Sequence, residues 1–219
     1  MKRISGHDAA LAVLNDPTFV VPPVPPASQG IAWLRATVGR FSGGADHRRR
    51  RALSVAVLDA ISPDELRTSG PVHPVAALAR AMGADESIVD LVRDVAQAYQ
   101  PGTGDDPQAD DAVDRLVAVF GGVFDESTAA RIGVLVQACN PSTALIERAG
   151  HRPVNEVLRD DPPVPATKRQ ATVTTTIDGL TIEADEVVEV CLGGELAFGT
   201  GPRQCPGRAH ALALAEGAR

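Results

Sequence analysis

The sequence is poor in aromatic residues and in cysteine. Phe, Trp and Tyr together make up 3% of the 219 residues, so a buried core has to be built mainly from smaller apolar side chains. Three cysteines occur, Cys139, Cys191 and Cys205. An odd number of cysteines at wide spacing excludes a disulfide framework and favours a reducing compartment.

Long apolar runs and an excess of positive charge are also absent. No stretch approaches the roughly 20 residues that a membrane-spanning helix requires. The N-terminal segment MKRISGHDAALAVL lacks the apolar region and cleavage site of a secretory signal. The formal net charge of −7 argues against nucleic acid as the main partner. Together these absences predict a soluble, cytoplasmic protein that binds neither a membrane nor nucleic acid.

What is present is enough apolar sequence for a globular core, at 44% of residues. Helical spacing of apolar residues dominates until about residue 160, and Thr, Val and Ile then become frequent. We predict a mainly α fold with a small β-hairpin element, as a single compact domain over residues 1–219. The predicted segments are a Pro-rich extended connection (17–29), a long helix (125–149), a hairpin turning at Asp178-Gly179 (171–190), and a cysteine loop with its following helix (198–219).

A basic run, residues 47–51, stands out in a helix predicted over 47–60 with Asp46 as its N-cap. Such a run is typical of a solvated helix face, and its functional alternative is an anion site. His47 and Arg51 are four residues apart and therefore lie on one face of that helix.

The cysteine loop, FGTGPRQCPG, is the most unusual stretch. Gly199 and Gly201 permit backbone conformations closed to other residues. Pro206 suits a first helical turn, which places Cys205 just before a helix N-terminus, where a thiolate is favoured. A thiolate held so rigidly is a metal ligand or a nucleophile, and the structural alternative is a free cysteine buried in a turn.

The chemistry of a lone thiolate narrows these alternatives. A nucleophile requires a base, and the nearest histidine, His210, is expected at an unfavourable angle on the following helix. One cysteine cannot complete a zinc site. A single thiolate can, however, anchor an iron whose other ligands come from a porphyrin.

The whole loop resembles the heme-ligand loop of the cytochromes P450, the heme-thiolate monooxygenases, whose pattern is Phe-Gly-x-Gly-x-Arg/His-x-Cys-x-Gly. All six fixed positions are present: Phe198, Gly199, Gly201, Arg203, Cys205 and Gly207. The resemblance implies a reduced P450-like fold, a heme b cofactor and Cys205 as the iron ligand. It also implies that Phe198 packs near the sulfur, that Gly199 and Gly207 lie against the porphyrin, and that Arg203 pairs with a propionate. The resemblance covers roughly residues 7–219 of this chain. It implies a strongly shortened, bacterial-type member of the family from which blocks of sequence are missing.

The resemblance assigns further residues upstream of the loop. Glu156 and Arg159 match the family's Glu-x-x-Arg helix, although a helix-surface ion pair is the alternative. Arg169 is expected to reach a heme propionate from a strand. His47 and Arg51 match the His-x-x-x-Arg helix that reaches the propionates, and the arginines between them are expected to stay solvated.

The oxygen-binding side departs from the family. The family's Ala-Gly-x-Asp/Glu-Thr-Thr corresponds here to residues 138–143, with Ala138 against the heme and Pro141 in place of the acid. Ser142 keeps a hydroxyl, and Asn140 and Ser142 are the candidate catalytic residues. The proline is expected to interrupt the long helix, which should kink or open there, because it leaves the Gln137 carbonyl without its donor.

Two functions follow as hypotheses. The first is a heme-thiolate oxidoreductase that acts on a small apolar molecule, as a monooxygenase served by a separate ferredoxin or reductase, as a peroxide-driven enzyme, or in a non-oxidative heme reaction. The second is a heme-binding protein without turnover, such as a sensor, a carrier or a partner subunit. A shortened member that exposes apolar surface could form a homo-oligomer.

Overall fold

The structure is a computed structural model that describes residues 1–103 and 106–218. Helices account for most of the ordered chain, and a small sheet lies beside them, so the mainly α prediction is confirmed. The helices are α1 (His7–Asn15), α2 (Gly30–Thr37), α3 (Gly44–Asp59), α4 (Pro63–Arg67), α5 (Pro74–Ala81), α6 (Val89–Ala98), α7 (Pro107–Val119), α8 (Glu126–Ala149), α9 (Val154–Asp160) and α10 (Arg208–Gly217). The strands are β1 (Lys2–Ile4), β2 (Phe19–Val20), β3 (Ala166–Ala171), β4 (Thr175–Ile177), β5 (Leu180–Ile182) and β6 (Val187–Cys191).

The larger sheet joins the two ends of the chain in the order β1-β6-β3-β2. Strand β1 runs parallel to β6, whereas β3 is antiparallel to both β6 and β2. Val188 and Val190 are fully buried on alternate positions of β6 and pack with Phe19 in a core beneath this sheet. The late β segment is therefore tied to the N-terminal residues.

The strand pairing agrees with the predicted hairpin over 171–190. Strands β4 and β5 form its tip, with Ile177 opposite Leu180. Asp178 and Gly179 occupy its turn with φ of 49° and 76°, as a two-residue hairpin turn requires. Strands β3 and β6 continue this hairpin in the same register, from Gln170 opposite Val187 to Ala166 opposite Cys191. The alternate valines of β6 are buried beneath the sheet.

The main core lies between the helices α2, α5, α6, α7 and α8. Its innermost side chains are aliphatic, as the low aromatic content predicts: Leu34, Val75, Leu78, Val92, Leu116 and Leu135. The Pro-rich segment 17–29 contains β2 and otherwise no regular element until α2 begins at Gly30. This extended segment connects the core beneath the sheet with the helical core.

Helix α8 begins with Asp125 as its N-cap, whose side chain accepts from the Thr128 N–H. It then continues through Pro141 without a break, so the predicted interruption is wrong. The buried side chains of Leu135, Ser142 and Leu145 hold the helix on both sides of the proline. Tertiary packing therefore outweighs the loss of one helical hydrogen bond.

Helix α3 also differs from its prediction. It begins at Gly44 with Gly43 as the N-cap, so Asp46 lies in the first turn and not at the cap. There its carboxylate pairs with Arg49 at 2.9 Å. The basic run consequently lies entirely within the helix.

Candidate functional site

The cysteine loop is closed by its own backbone. The Cys205 N–H donates to the Phe198 carbonyl at 2.8 Å. Gly199 and Gly201 adopt φ of +67° and +66°, which L side chains rarely adopt. At Gly201 a Cβ would also lie 2.5 Å from Asn15 Oδ1. The predicted need for glycine at both positions is met by this geometry.

Cys205 lies three residues before α10 and is an exposed residue of the loop. The surrounding protein nevertheless withholds enough water from Sγ to raise the pKa of the thiol. The Gly207 N–H, Arg51 and Arg40 act in the opposite direction. The predicted depression of this pKa by the helix terminus is therefore wrong for the chain without a bound cation.

Two deeply placed arginines face the loop region. Arg169 on β3 is 6% exposed and donates to Thr167 Oγ1 at 3.1 Å and to the Lys168 carbonyl at 2.8 Å. Burial, followed by the charges of Arg203 and Arg40, lowers the pKa of Arg169 to about 10. Among the residues that the structure describes, no carboxylate forms an ion pair with Arg169.

The loop's own arginine is placed similarly. Arg203 donates to the Ser42 carbonyl, and burial lowers its pKa, followed by the charge of Arg51. Within the described ranges Arg203 has no carboxylate partner either. The loop therefore adds a second half-buried guanidinium beside Arg169.

Helix α3 contributes the remaining members of the predicted set. Arg51 Nη2 donates to the Gln204 carbonyl at 2.6 Å. His47 is 8% exposed, and burial, then the charges of Arg203 and Arg51, lower its pKa to about 4. The structure thus brings His47, Arg51, Arg169 and Arg203 into one electrostatic cluster from three distant parts of the chain.

A fifth member of the cluster, Arg40, was missed by the sequence reasoning. It lies in a single 3-10 turn, Gly39–Phe41, and its buried Nε has no hydrogen-bond partner. Its charge acts on both Arg169 and Cys205. The only sequence signal was an arginine beside an aromatic residue at the end of a helical stretch, a pattern that surface helices share.

The rest of the basic run has a structural task. Arg49 and Arg50 both donate to Glu126 at 2.7 Å, and hydrogen bonding from Arg49 is the main reason that the pKa of Glu126 falls to about 2. These ion pairs join α3 to the first turn of α8. The expectation of a wholly solvated face is wrong for Arg50, whose side chain is 17% exposed. Arg49, at 53% exposed, and Arg48 remain on the exposed face.

The Glu-x-x-Arg motif does not brace the core. The Arg159 side chain is 61% exposed and pairs with the adjacent Asp160 at 2.8 Å. Glu156 affects Arg159 only through its charge. The surface ion-pair alternative describes this helix better than the predicted internal brace.

The candidate distal residues are separated by the helix itself. Ser142 is 4% exposed, and Ala138, one turn earlier on the same face, is half-buried. Asn140 is exposed. Two residues along an α-helix correspond to about 200° of rotation, so Asn140 and Ser142 face opposite ways. The expectation that both act at one site is corrected.

His210 cannot serve Cys205 as a base. Its Nε2 lies 3.0 Å from the carbonyls of Leu58 and Ile61, which only a protonated nitrogen can satisfy as a donor. It therefore joins α10 to the end of α3. This placement agrees with the unfavourable angle expected from the sequence.

Among known proteins, only solved structures match this chain. No family model and no curated protein matches the chain. Solved structures do match, among them CalO2 with a TM-score of 0.72 and 18% identity over 98% of this chain and 81% of that one. P450BioI, solved with a hexadec-9Z-enoic acid-ligated acyl carrier protein, matches with a TM-score of 0.70 and 16% identity, over 98% of this chain and 82% of that one. CYP154C4 from Streptomyces sp. W2061 matches with a TM-score of 0.58 and 16% identity, over 99% of this chain and 80% of that one.

The chain has the cytochrome P450 fold. The resemblance predicted from ten residues of the cysteine loop is thereby confirmed for the tertiary structure as a whole. In the described residues, no helix combines the length and the apolar character that crossing a membrane requires.

The P450 fold implies heme, and the residues present fit that group. A heme brings two carboxylates. The cluster supplies a buried guanidinium, Arg169, and a half-buried one, Arg203, that no acidic side chain neutralises in the described ranges. Leaving such cations unpaired is costly, so the site is suited to anions. Cys205 presents a thiol near Arg51 and Arg40, on a loop whose shape requires glycine.

Proposed function

We propose that this chain binds heme b through the Cys205 thiolate and acts as a heme-thiolate oxidoreductase on a small, mostly apolar molecule. The observation that carries the proposal is the juxtaposition of an exposed thiol with a cluster of unneutralised cationic side chains. Either feature alone has a structural explanation. Together they match the iron ligand and the propionate ligands that the cysteine-loop resemblance implies.

In this proposal the propionates pair with Arg169, Arg203 and Arg51, and His47 adds a hydrogen bond. Guanidinium groups are suited to this task because they bind carboxylates through two parallel hydrogen bonds. Phe198 packs beside the sulfur, and Gly199 and Gly207 let the flat ring approach the loop. The heme, when bound, supplies the oxidative chemistry.

The protein controls the sulfur through its backbone. The Gly207 N–H donates to Cys205 Sγ and so withdraws electron density from it. Pro206 has no N–H and cannot add a second such bond. We infer a thiolate that donates strongly to the iron, which lowers the reduction potential of the bound group.

Helix α8, on the expected oxygen-binding side, provides fewer polar groups than the cysteine loop does. Ser142 is the only residue of the predicted pair on the Ala138 face, and its hydroxyl can hold a proton at Oγ. Pro141 occupies the position of the acid that would supply that hydroxyl. This arrangement favours a peroxide-driven oxidation, or a non-oxidative heme reaction, over a dioxygen-dependent monooxygenase with a separate ferredoxin or reductase as its partner.

A non-catalytic heme protein is the second candidate function. It is favoured by one observation, the outward orientation of Asn140 beside Pro141, which leaves α8 without a polar relay. Such a protein would serve as a sensor, a carrier or a partner subunit. A cytoplasmic location and a homo-oligomer are compatible with both functions and remain part of the proposal.

The test of heme ligation is spectroscopic. The protein is loaded with heme, reduced and exposed to carbon monoxide, and a strongly red-shifted Soret band is expected. Cys205→Ala should abolish this band, whereas the matched control Cys191→Ala should keep it, because Cys191 lies at the end of β6 and bonds to Arg3. A protein that takes up no heme, or an unchanged band in Cys205→Ala, would refute the proposal.

Turnover separates the two candidate functions. The heme-loaded protein is supplied with a panel of small apolar molecules and either hydrogen peroxide or a ferredoxin with its reductase. Product formation with peroxide, reduced in Ser142→Ala, supports the enzyme. A correct thiolate spectrum with no product under either condition supports the non-catalytic protein.

A further inference from the structure

Two buried polar groups near the cationic cluster are not used by the proposed heme site. Tyr99, directly after α6, is 4% exposed, and its Oη has no hydrogen-bond partner. Arg40 Nε is likewise buried and without a partner. Buried polar atoms are nearly always hydrogen-bonded, so two neighbouring donors without acceptors are candidates for binding a ligand.

Phe41 brings these two groups into one place. Its ring lies 5.2 Å from the Tyr99 ring and 5.6 Å from the Arg40 guanidinium carbon. The Arg40 charge is close enough to oppose the burial that raises the pKa of Tyr99. Two donors, one of them charged, therefore lie beside the same aromatic ring.

The count of charges shows why Arg40 is not needed for the heme. Two propionates already have Arg51, Arg169 and Arg203 as candidate partners, besides His47. His47 is neutral at pH 7, since burial and the neighbouring arginines lower its pKa to about 4. Arg40 adds a further positive charge near Arg169, and a third carboxylate would neutralise it.

We propose that Arg40 and Tyr99 bind the carboxylate of an organic acid substrate, whose apolar body lies against Phe41. This inference rests on the proposed heme function and makes its substrate more specific, as an amphiphilic acid and not a wholly apolar molecule. The ligand accepts hydrogen bonds from Arg40 Nε and Tyr99 Oη, the two donors that otherwise have no acceptor.

The experiment compares decanoate with decan-1-ol, which share a chain length and differ in charge. Each is titrated into the heme-loaded protein at pH 7 by calorimetry and by the shift of the Soret band. Decanoate is expected to bind at least about tenfold more tightly, as hydrogen bonds to a charged group allow. Arg40→Gln should remove this preference, whereas Arg48→Gln, which removes an equal charge from the exposed face of α3, should retain it.

Tyr99→Phe gives a second readout that does not depend on Arg40. Without ligand it should raise the melting temperature, because it removes an unsatisfied buried hydroxyl. It should also weaken decanoate binding several-fold and leave decan-1-ol unchanged. A lowered melting temperature with unchanged decanoate affinity would contradict the inference.

The remaining outcomes separate the two proposals. If the protein takes up heme but binds decanoate and decan-1-ol with equal affinity, this inference is overturned and the proposed heme function is unaffected. Loss of heme from Arg40→Gln with the acid preference retained also overturns it and assigns Arg40 to a propionate. A wild-type protein without a Soret band overturns the proposed function, and this inference with it, before any ligand is added.

Discussion

The two sides of the candidate site, the cysteine loop with Cys205 and helix α8, differ in how completely they supply the residues expected there. On the Cys205 side, cations from α3, from β3 and from the cysteine loop converge, and two glycines with positive φ shape the loop. On the α8 side, Pro141 replaces an acid, and Ser142 and Asn140 face apart. The apparatus that holds an anionic, iron-bearing group is thus more complete than the apparatus for moving protons above it.

The contrast between these two sides can be tested first through the pH dependence of stability. Here His47 is expected to have the largest effect on the free energy of unfolding. Its pKa is about 4 in the folded chain and near 6.5 when unfolded, so the unfolded state binds more protons between these values. Stability is therefore complete above about pH 6.5 and falls as the pH decreases towards 4, by about 3 kcal/mol in total. Urea unfolding of the heme-free protein across this range measures it.

The same experiment has an internal control. Heme propionates beside His47 would raise the pKa of that imidazole, so the heme-loaded protein should lose less stability over this range. His47→Gln should flatten the slope of the heme-free protein. An equally steep slope in this variant would show that another group is responsible.

Arg169→Gln tests the propionate cluster directly. The substitution removes a buried charge that has no acidic partner in the described chain, so the heme-free protein should lose little stability or gain some. Heme affinity should fall about thirtyfold, near 2 kcal/mol, because one propionate loses a charged donor. Heme titration followed by absorbance measures this change. Arg159→Gln, on the exposed face of α9, should leave heme affinity unchanged.

The cysteine loop offers a matched pair of glycines. Gly201→Ala should destabilise the chain by about 1–2 kcal/mol, because φ is +66° and Asn15 lies against the new Cβ. Gly207 has φ of −90° and open contacts no closer than 3.8 Å, so Gly207→Ala should be nearly neutral in thermal unfolding. A loss of heme affinity in Gly207→Ala would then report contact with the porphyrin alone.

The smallest expected effect is on α8. Pro141→Ala restores a backbone donor for the Gln137 carbonyl in a helix that is already continuous. It should stabilise the protein by about 1 kcal/mol, the net contribution of one hydrogen bond. Thermal unfolding measures this gain. No change in the carbon monoxide spectrum is expected, since the Cys205 side is untouched. A stability loss would mean that the proline itself packs in the helix–helix contact.

The sequence predicted those features that depend on neighbouring residues. The mainly α fold, the glycine-dependent cysteine loop and the tight turn at Asp178-Gly179 all follow from local backbone preferences and spacing. The sequence wrongly predicted an interruption of α8 at Pro141. The helix is continuous because its buried side chains pack with residues from distant parts of the chain.

Charged residues show the same limit most clearly. The sequence alone identified Cys205 and a set of basic side chains that could surround it, because loop conformation and helix periodicity are local properties. Only the tertiary structure decided which arginines became ion pairs and which stayed unneutralised. Arg50 finds Glu126, which is 76 positions away, whereas Arg40 and Arg169 have no such carboxylate in the described residues. Burial and charge pairing depend on what the fold brings within a few ångströms, and separation along the chain carries no such information.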